Sequence, residues 1–205
     1  MAINFKAEWP MNLGAPGDSL EAKQPNIDNG LDVPDPSRYY SADYMRKEWE
    51  LMWPRVWLLA GVTPDIPEDG DYTVFELGHE EFIVVRQADS SIRAFYNACP
   101  HRGNRVCLNE RGSVPRFTCA FHGWQFSCAG KLEKITDEAT FDRRLIAHRP
   151  GLREVRCDSI GGLIFINMDG KAPALRDWIG LPPGYIENYE IEAMHVVRHV
   201  RSEWR

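Results

Sequence analysis

Two short stretches of this sequence each bring one thiol and one imidazole into a single turn. The first is Cys99-Pro100-His101-Arg102-Gly103. The second is Cys119-Ala120-Phe121-His122-Gly123-Trp124, and seventeen residues separate His101 from Cys119. The spacing is Cys-x-His in one turn and Cys-x-x-His in the other, with a glycine soon after each histidine. Four soft donors in two turns form a metal-site pattern, open at this point to zinc or to an iron–sulfur group. Zinc sites built from two Cys and two His usually keep the thiols together and the imidazoles together. Here each turn mixes them, which suits a cluster of two irons, one held by both thiolates and the other by both imidazoles.

The mixture has an electrostatic consequence. In an oxidised group of two ferric ions, two sulfides, two thiolates and two neutral imidazoles, the formal charges cancel. Four thiolates would leave the same group doubly negative and harder to reduce. Histidine ligation therefore raises the potential, to about −150 to +300 mV against about −400 mV for plant-type ferredoxins. Reduction also makes the imidazoles more basic, so electron and proton transfer should be coupled.

The paired motifs resemble the Rieske [2Fe-2S] signature, in the form found in the large (α) subunit of aromatic-ring-hydroxylating oxygenases. The likeness extends over residues 38–205, through the Trp57 strand, Ile66–Tyr72, Tyr96-Asn97-Ala98 and Gly162–Asn167. It implies that Cys99 and Cys119 bind one iron and that His101 and His122 bind the other. The respiratory Rieske proteins carry an extra, disulfide-linked cysteine in each loop, where this chain has Asn104 and Phe121. They also set serine and tyrosine hydroxyls beside the cluster, where this chain has Trp124 and Phe126. Fewer hydrogen bonds to the sulfurs imply a potential toward the low end of the Rieske range. Trp124 is expected to shield the cluster, and Arg102 to be a surface charge or a contact to a neighbouring subunit's carboxylate.

The resemblance further implies a second site, a mononuclear non-haem Fe(II) held by two histidines and a carboxylate, which activates O2. That site lies in a C-terminal catalytic domain that this sequence does not supply, so no catalytic residue is assigned here. The implied donor is a ferredoxin or reductase, and the implied assembly is a homo- or hetero-oligomer built on a trimer of α subunits. An aromatic compound is the implied substrate class, with demethylation or another oxidation as the alternative chemistry.

These loops must be positioned by short β elements. From residue 66 the apolar period is two, with turns at short intervals. Strands are expected over Tyr72–Leu77, Phe82–Arg86, Ile92–Asn97 and Gly161–Asn167, and Trp57–Val62 reads as a buried strand. Together they predict a mainly β fold, a domain of small antiparallel sheets spanning 56–170. Residues 132–150 show no clean period. Residues 1–37, rich in Pro and Gly, read as an extended arm or a disordered tail. A helical lead-in over 38–55 follows, capped by Ser37 or Ser41 and ended by Pro54. Its tryptophans, with Trp57, are expected in the core. Leu175–Tyr189 should form a short helix and a proline-bounded loop. Met194–Trp204 reads as a strand, the first of the catalytic domain, which implies that the polypeptide continues; residues 171–205 are thus a connection plus that strand.

Composition sets outer bounds. The chain has 205 residues, 43% hydrophobic and 26% charged, as ordinary globular domains do. A net charge of −6 disfavours nucleic acid and anionic membrane as partners. No apolar run approaches the ~18 residues of a membrane span, and the first residues lack a signal-peptide core. Five cysteines suit a reducing, cytoplasmic setting, with Cys107, Cys128 and Cys157 as free thiols. His79 is expected in solvent and His148 as a structural hydrogen-bonding group. His195 and His199, on a strand, would stand about 13 Å apart, too far for one ion. Asp137, Glu138 and Asp142 read as a solvated acidic face. Two other functions compete with the oxygenase reading: a free-standing Rieske ferredoxin-like electron carrier, and a structural zinc module.

Overall fold

The computed structural model describes residues 35–148, 150–198, 200 and 202–203. The expected arm therefore lies outside the described residues except at its end, where Asp35 caps a 3-10 turn over Pro36–Tyr39. Helix α1 (Ala42–Leu51) follows, and the Ser41 side chain accepts a hydrogen bond from the Tyr44 amide as its N-cap. Pro54 sits in the next 3-10 turn, Trp53–Arg55, beyond the helix.

Ten strands come next: β1 (Leu58–Val62), β2 (Asp71–Leu77), β3 (Glu80–Arg86), β4 (Ile92–Tyr96), β5 (Arg111–Ser113), β6 (Phe117–Thr118), β7 (Gln125–Phe126), β8 (Leu132–Lys134), β9 (Glu154–Ile160) and β10 (Leu163–Asn167). Short helices α2 (Arg143–Ala147) and α3 (Leu175–Ile179) complete the regular structure. Seven strands make an antiparallel sheet in the order β1-β10-β9-β4-β3-β2-β5, and β6-β7-β8 form a second, smaller sheet. The mainly β expectation holds.

Strand β3 explains how the layers stack. Phe82, Ile83, Val84 and Val85 are all fully buried, so both faces of the strand are covered. Phe82 and Val84 face a core with Ala60, Ile66, Ile164 and Ile166. Ile83 and Val85 face the other way, into a core shared with Phe117, Cys119, Trp124 and Phe126. The small sheet thus packs on one face of the large one, and the second Cys/His turn sits on that small sheet.

Some expectations change. Of the three tryptophans before β1, only Trp57 is core: it is buried and its Nε1 donates to the Pro173 carbonyl at 3.1 Å. Trp49 in α1 and Trp53 in the following 3-10 turn are half-buried, and neither element buries any residue. Trp49 instead covers the β2–β3 turn, its ring tilted 45° to that of His79 with centroids 4.3 Å apart. Strand β9 was not among the expected strands, although Glu154, Arg156 and Asp158 alternate with Val155 and Cys157 at a period of two. Those charges are tolerated through partners such as Arg93, whose guanidinium donates to both Glu154 oxygens at 2.7–2.8 Å.

The strand expected over Met194–Trp204 does not form over Met194–Arg198, which take no regular structure. Val196 and Val197 are exposed, and no described strand lies alongside to accept ladder hydrogen bonds. His199 and Trp204 fall outside the described residues. No described helix is long and apolar enough to cross a membrane.

Candidate metal centre

The second Cys/His turn is the loop of the β6–β7 hairpin. Thr118 pairs with Gln125, leaving Cys119–Trp124 as the connection. The Cys119 amide donates to the Trp124 carbonyl at 2.9 Å, and the Gly123 amide to the Cys119 carbonyl at 2.9 Å. The first turn leaves β4 and repeats the frame. The Cys99 amide donates to Asn104 O at 2.8 Å, and the Gly103 amide to Cys99 O at 2.8 Å. Both loops therefore close between the cysteine and the fifth residue after it, with glycine fourth. The histidine is the second residue after Cys99 but the third after Cys119.

Both glycines have left-handed backbone, φ +73° at Gly103 and +67° at Gly123. At Gly123 a Cβ would also stand 2.6 Å from Thr136 Oγ1, whereas at Gly103 nothing lies within 4 Å.

The loops meet with like donors together. Cys99 and Cys119 are each 2% exposed and their thiols are neighbours. His101 and His122 are half-buried, with ring centroids 4.6 Å apart. The thiol pair points inward and the imidazole pair lies toward the surface. Among the described residues, no three His, Cys, Asp or Glu side chains converge on a single ion position. A tetrahedral zinc site needs such convergence. Two separated pairs fit a group with one iron at each end.

Electrostatics agree with a cationic occupant. Burial pushes the Cys99 thiol up to about 11, with the neighbouring Cys119 adding to the rise, so thiolates form there only when a metal compensates them. The His101 and Arg102 amides hydrogen-bond to the Cys99 sulfur and favour its anion. Burial, then the nearby His122 and Arg102, lower the pKa of His101 and favour the neutral, metal-binding imidazole.

Trp124, 2% exposed, lies parallel to His101. Phe141 meets both rings edge-on, at 5.9 Å from His101 and 5.7 Å from Trp124. Arg102 stands over the exposed Phe121 ring at 5.7 Å. A cavity of about 430 Å³ opens beside the imidazoles, bounded by Trp124, Asp137, Thr140 and Phe141. Asp137, exposed as expected, also borders this cavity. Asp142 caps α2 through the Arg144 amide at 2.7 Å.

Two residues of the site escaped assignment in the sequence. Asn97 is buried beneath the first loop: Oδ1 accepts from the Val106 and Cys107 amides at 3.0 and 2.8 Å, and Nδ2 donates to Cys107 O at 2.8 Å and Glu81 Oε2 at 3.1 Å. Glu81 is in turn paired with Arg105. Asn104 reaches across toward the second loop, its Nδ2 3.8 Å from Cys119 Sγ. An Asn beside a Cys/His motif was the only signal for either. The remaining cysteines, Cys107, Cys128 and Cys157, are free thiols. His79 is exposed although it touches Trp49, and His148 Nδ1 lies 3.1 Å from the Arg144 carbonyl.

Comparison with known proteins agrees with this geometry. Residues 56–151 match the family model of the Rieske [2Fe-2S] domain. The chain is 37% identical over 154 residues to the chlorobenzene dioxygenase α subunit of Cupriavidus sp. (strain PS12), covering 75% of this chain and 34% of that one. It is 30% identical over 167 residues to the glycine betaine monooxygenase oxygenase subunit of Pseudomonas aeruginosa (strain PAO1), covering 80% and 38%. Among solved structures, a naphthalene 1,2-dioxygenase variant bound to phenanthrene superposes with a TM-score of 0.64 at 37% identity, covering 67% of this chain and 31% of that one. The chain thus spans about a third of the length of these relatives. With its paired thiols and imidazoles on two like loops, the chain belongs to the Rieske oxygenase α subunits, of which it holds the Rieske [2Fe-2S] portion.

Proposed function

We propose that this chain is the electron-relay portion of an oxygenase α subunit, with Cys99 and Cys119 holding one iron and His101 and His122 the other. The observation that carries the assignment is the sorting of donors: two buried, neighbouring thiols, and two imidazoles paired toward the surface. When bound, the [2Fe-2S] group supplies a site that accepts and passes on one electron. The chain's part is to exclude water with Trp124 and Phe141, to neutralise thiolate charge with backbone amides, and to present the imidazole edge outward. His101 and His122 are the exit, because they alone of the four donors reach the surface region.

The electron donor on this reading is a ferredoxin or a flavin reductase. The acceptor is a mononuclear iron in a catalytic domain, which residues 171–205 would connect to the Rieske domain, reached across a subunit boundary in an α-subunit trimer. The relatives act on aromatic compounds or, by name, on glycine betaine, so an aromatic substrate or a quaternary ammonium substrate follows from the likeness.

Iron and acid-labile sulfide analysis with EPR of the dithionite-reduced protein tests the assignment. Two irons, two sulfides and a Rieske-type spectrum are expected; a colourless zinc protein would refute it. His122→Cys should lower the midpoint potential, and an unchanged potential would remove His122 from the ligand set. A free-standing electron carrier would pass electrons between soluble partners without any oxygenase domain, and turnover of O2 by the native full-length polypeptide discriminates the two.

A further inference from the structure

Asn104 occupies the position that closes the first loop. Its carbonyl accepts from the Cys99 amide at 2.8 Å, which fixes its backbone at the loop base. Its side chain is half-buried and points across to the other loop. Nδ2 lies 2.8 Å from the Arg105 carbonyl and 3.8 Å from Cys119 Sγ. A carbonyl can only accept, so it fixes which end of the amide is the NH2. One N–H serves that carbonyl and the other is left for the sulfur. The reversed amide would set Oδ1 against two lone-pair donors, a carbonyl oxygen and a sulfur.

We propose that Asn104 sets the reduction potential of this Rieske site by donating an N–H···S hydrogen bond from the first loop to the Cys119 sulfur of the second. This rests on Cys119 being a cluster ligand. The Cys119 amide is committed to Trp124 O, so it is not the donor to its own sulfur. An N–H dipole aimed at a ligand sulfur is attracted more strongly as negative charge accumulates there. It therefore favours the reduced state and raises the potential, hydrogen bonds to sulfur being among the determinants of cluster potential. Asn104 thus partly offsets the hydroxyl donors missing at Trp124 and Phe126. The contact also couples the two loops, since any movement of the first loop base changes the environment of a sulfur in the second.

The test is EPR-monitored redox titration of the holoprotein and of Asn104→Leu, which keeps the side-chain shape without donors. Asn104→Leu should lower the equilibrium constant for reduction by about three- to tenfold, a tenfold change corresponding to about 59 mV for one electron. Asn104→Asp, which adds charge as well as removing donors, should lower it further. Pulsed EPR in heavy water should show an exchangeable deuteron coupling in the wild type that is absent from Asn104→Leu, an outcome a merely structural role would not produce. Equal potentials and equal couplings would overturn the proposal. If Asn104→Leu fails to hold a cluster, wild-type protein labelled with 15N in asparagine side chains decides: a 15N coupling supports the bond and its absence overturns it. A wild-type protein without a Rieske-type spectrum would instead refute the ligand reading, and this inference with it.

Discussion

Trp124 lies flat against His101, with ring centroids 4.7 Å apart and planes 8° from parallel. A ligand imidazole needs its plane fixed as well as its nitrogen, and the fixing group is usually a hydrogen-bond partner. Here a buried indole supplies a flat wall, and His122 and Phe141 close on the imidazole edge-on. Trp124→Leu should therefore lower apoprotein stability by about 2–4 kcal/mol, by comparison with large-to-small core substitutions. It should also change the EPR line shape of the reduced protein, because His101 can then rotate. Trp124→Phe should be milder in both. A normal line shape in Trp124→Leu would show that the stack does not orient the ligand.

Asn97 holds the base of the first ligand loop with four hydrogen bonds made in a buried site. Asn97→Ala strands the Val106 and Cys107 amides and should cost about 2–6 kcal/mol, at about 1–3 kcal/mol per unsatisfied buried group. Asn97→Asp keeps the acceptor for both amides but loses the donor to Cys107 O and sets a second carboxylate beside Glu81. Both variants should release iron to a chelator faster than wild type while Asn97→Ala is the less stable in denaturant. Wild-type rates of iron release in Asn97→Ala would show that the loop holds its shape without this residue.

The two Cys/His loops were legible because their chemistry is local: donor type, spacing and a glycine fourth after each cysteine lie within six residues. Strands β2, β3 and β4 were legible because apolar and β-branched residues alternate or run continuously between turn signals. Strand β9 was not, since three charges in seven residues resemble a solvated segment, and Arg93, the partner of Glu154, lies on a strand 61 residues earlier. The segment around Thr136–Phe141 was illegible for the same reason. Its residues form a 3-10 turn whose value is in what they touch, with Phe141 on His101 and Trp124 and Thr136 against Gly123. The strand expected near the C-terminus fits a period of two, but periodicity alone gives no partner, and Met194–Arg198 have none among the described strands.

Gly103 and Gly123 look equivalent in sequence and should respond differently to substitution. At Gly103 only the left-handed backbone is demanded, so Gly103→Ala should cost about 1–2 kcal/mol and Gly103→Asn less. At Gly123 the same backbone demand is joined by the Thr136 hydroxyl, 2.6 Å from the Cβ position. Gly123→Ala should therefore be worse than Gly103→Ala by at least about 1 kcal/mol of overpacking strain. Adding Thr136→Ala removes the obstructing oxygen but not the backbone strain. The double variant should return to about the Gly103→Ala level, a coupling that a double-mutant cycle in denaturant measures. Strict additivity would show that the Thr136 contact relaxes at no cost.

Cys107 contributes to the alkaline sensitivity of the fold, as the buried Cys157 does. Burial pushes its thiol up to about 12, against 9.0 for an ordinary thiol, with Cys128 adding to the rise and a hydrogen bond with Tyr72 opposing it. A folded-state pKa above the unfolded one means that the unfolded chain loses this proton first as pH rises. Between pH 9 and about 12 the native state binds more protons than the unfolded state, so stability falls with increasing pH across that window and is unaffected by this group below it. Cys107→Ala should lower stability at pH 8 through lost packing yet show a shallower decline from pH 9 to pH 10.5 than wild type, with urea denaturation at each pH as the measurement. The same thiol should resist Ellman's reagent at pH 8 in the folded holoprotein, because the thiolate is the reactive form. Rapid labelling of Cys107, or parallel stability curves for the two proteins above pH 9, would show that its burial is only transient.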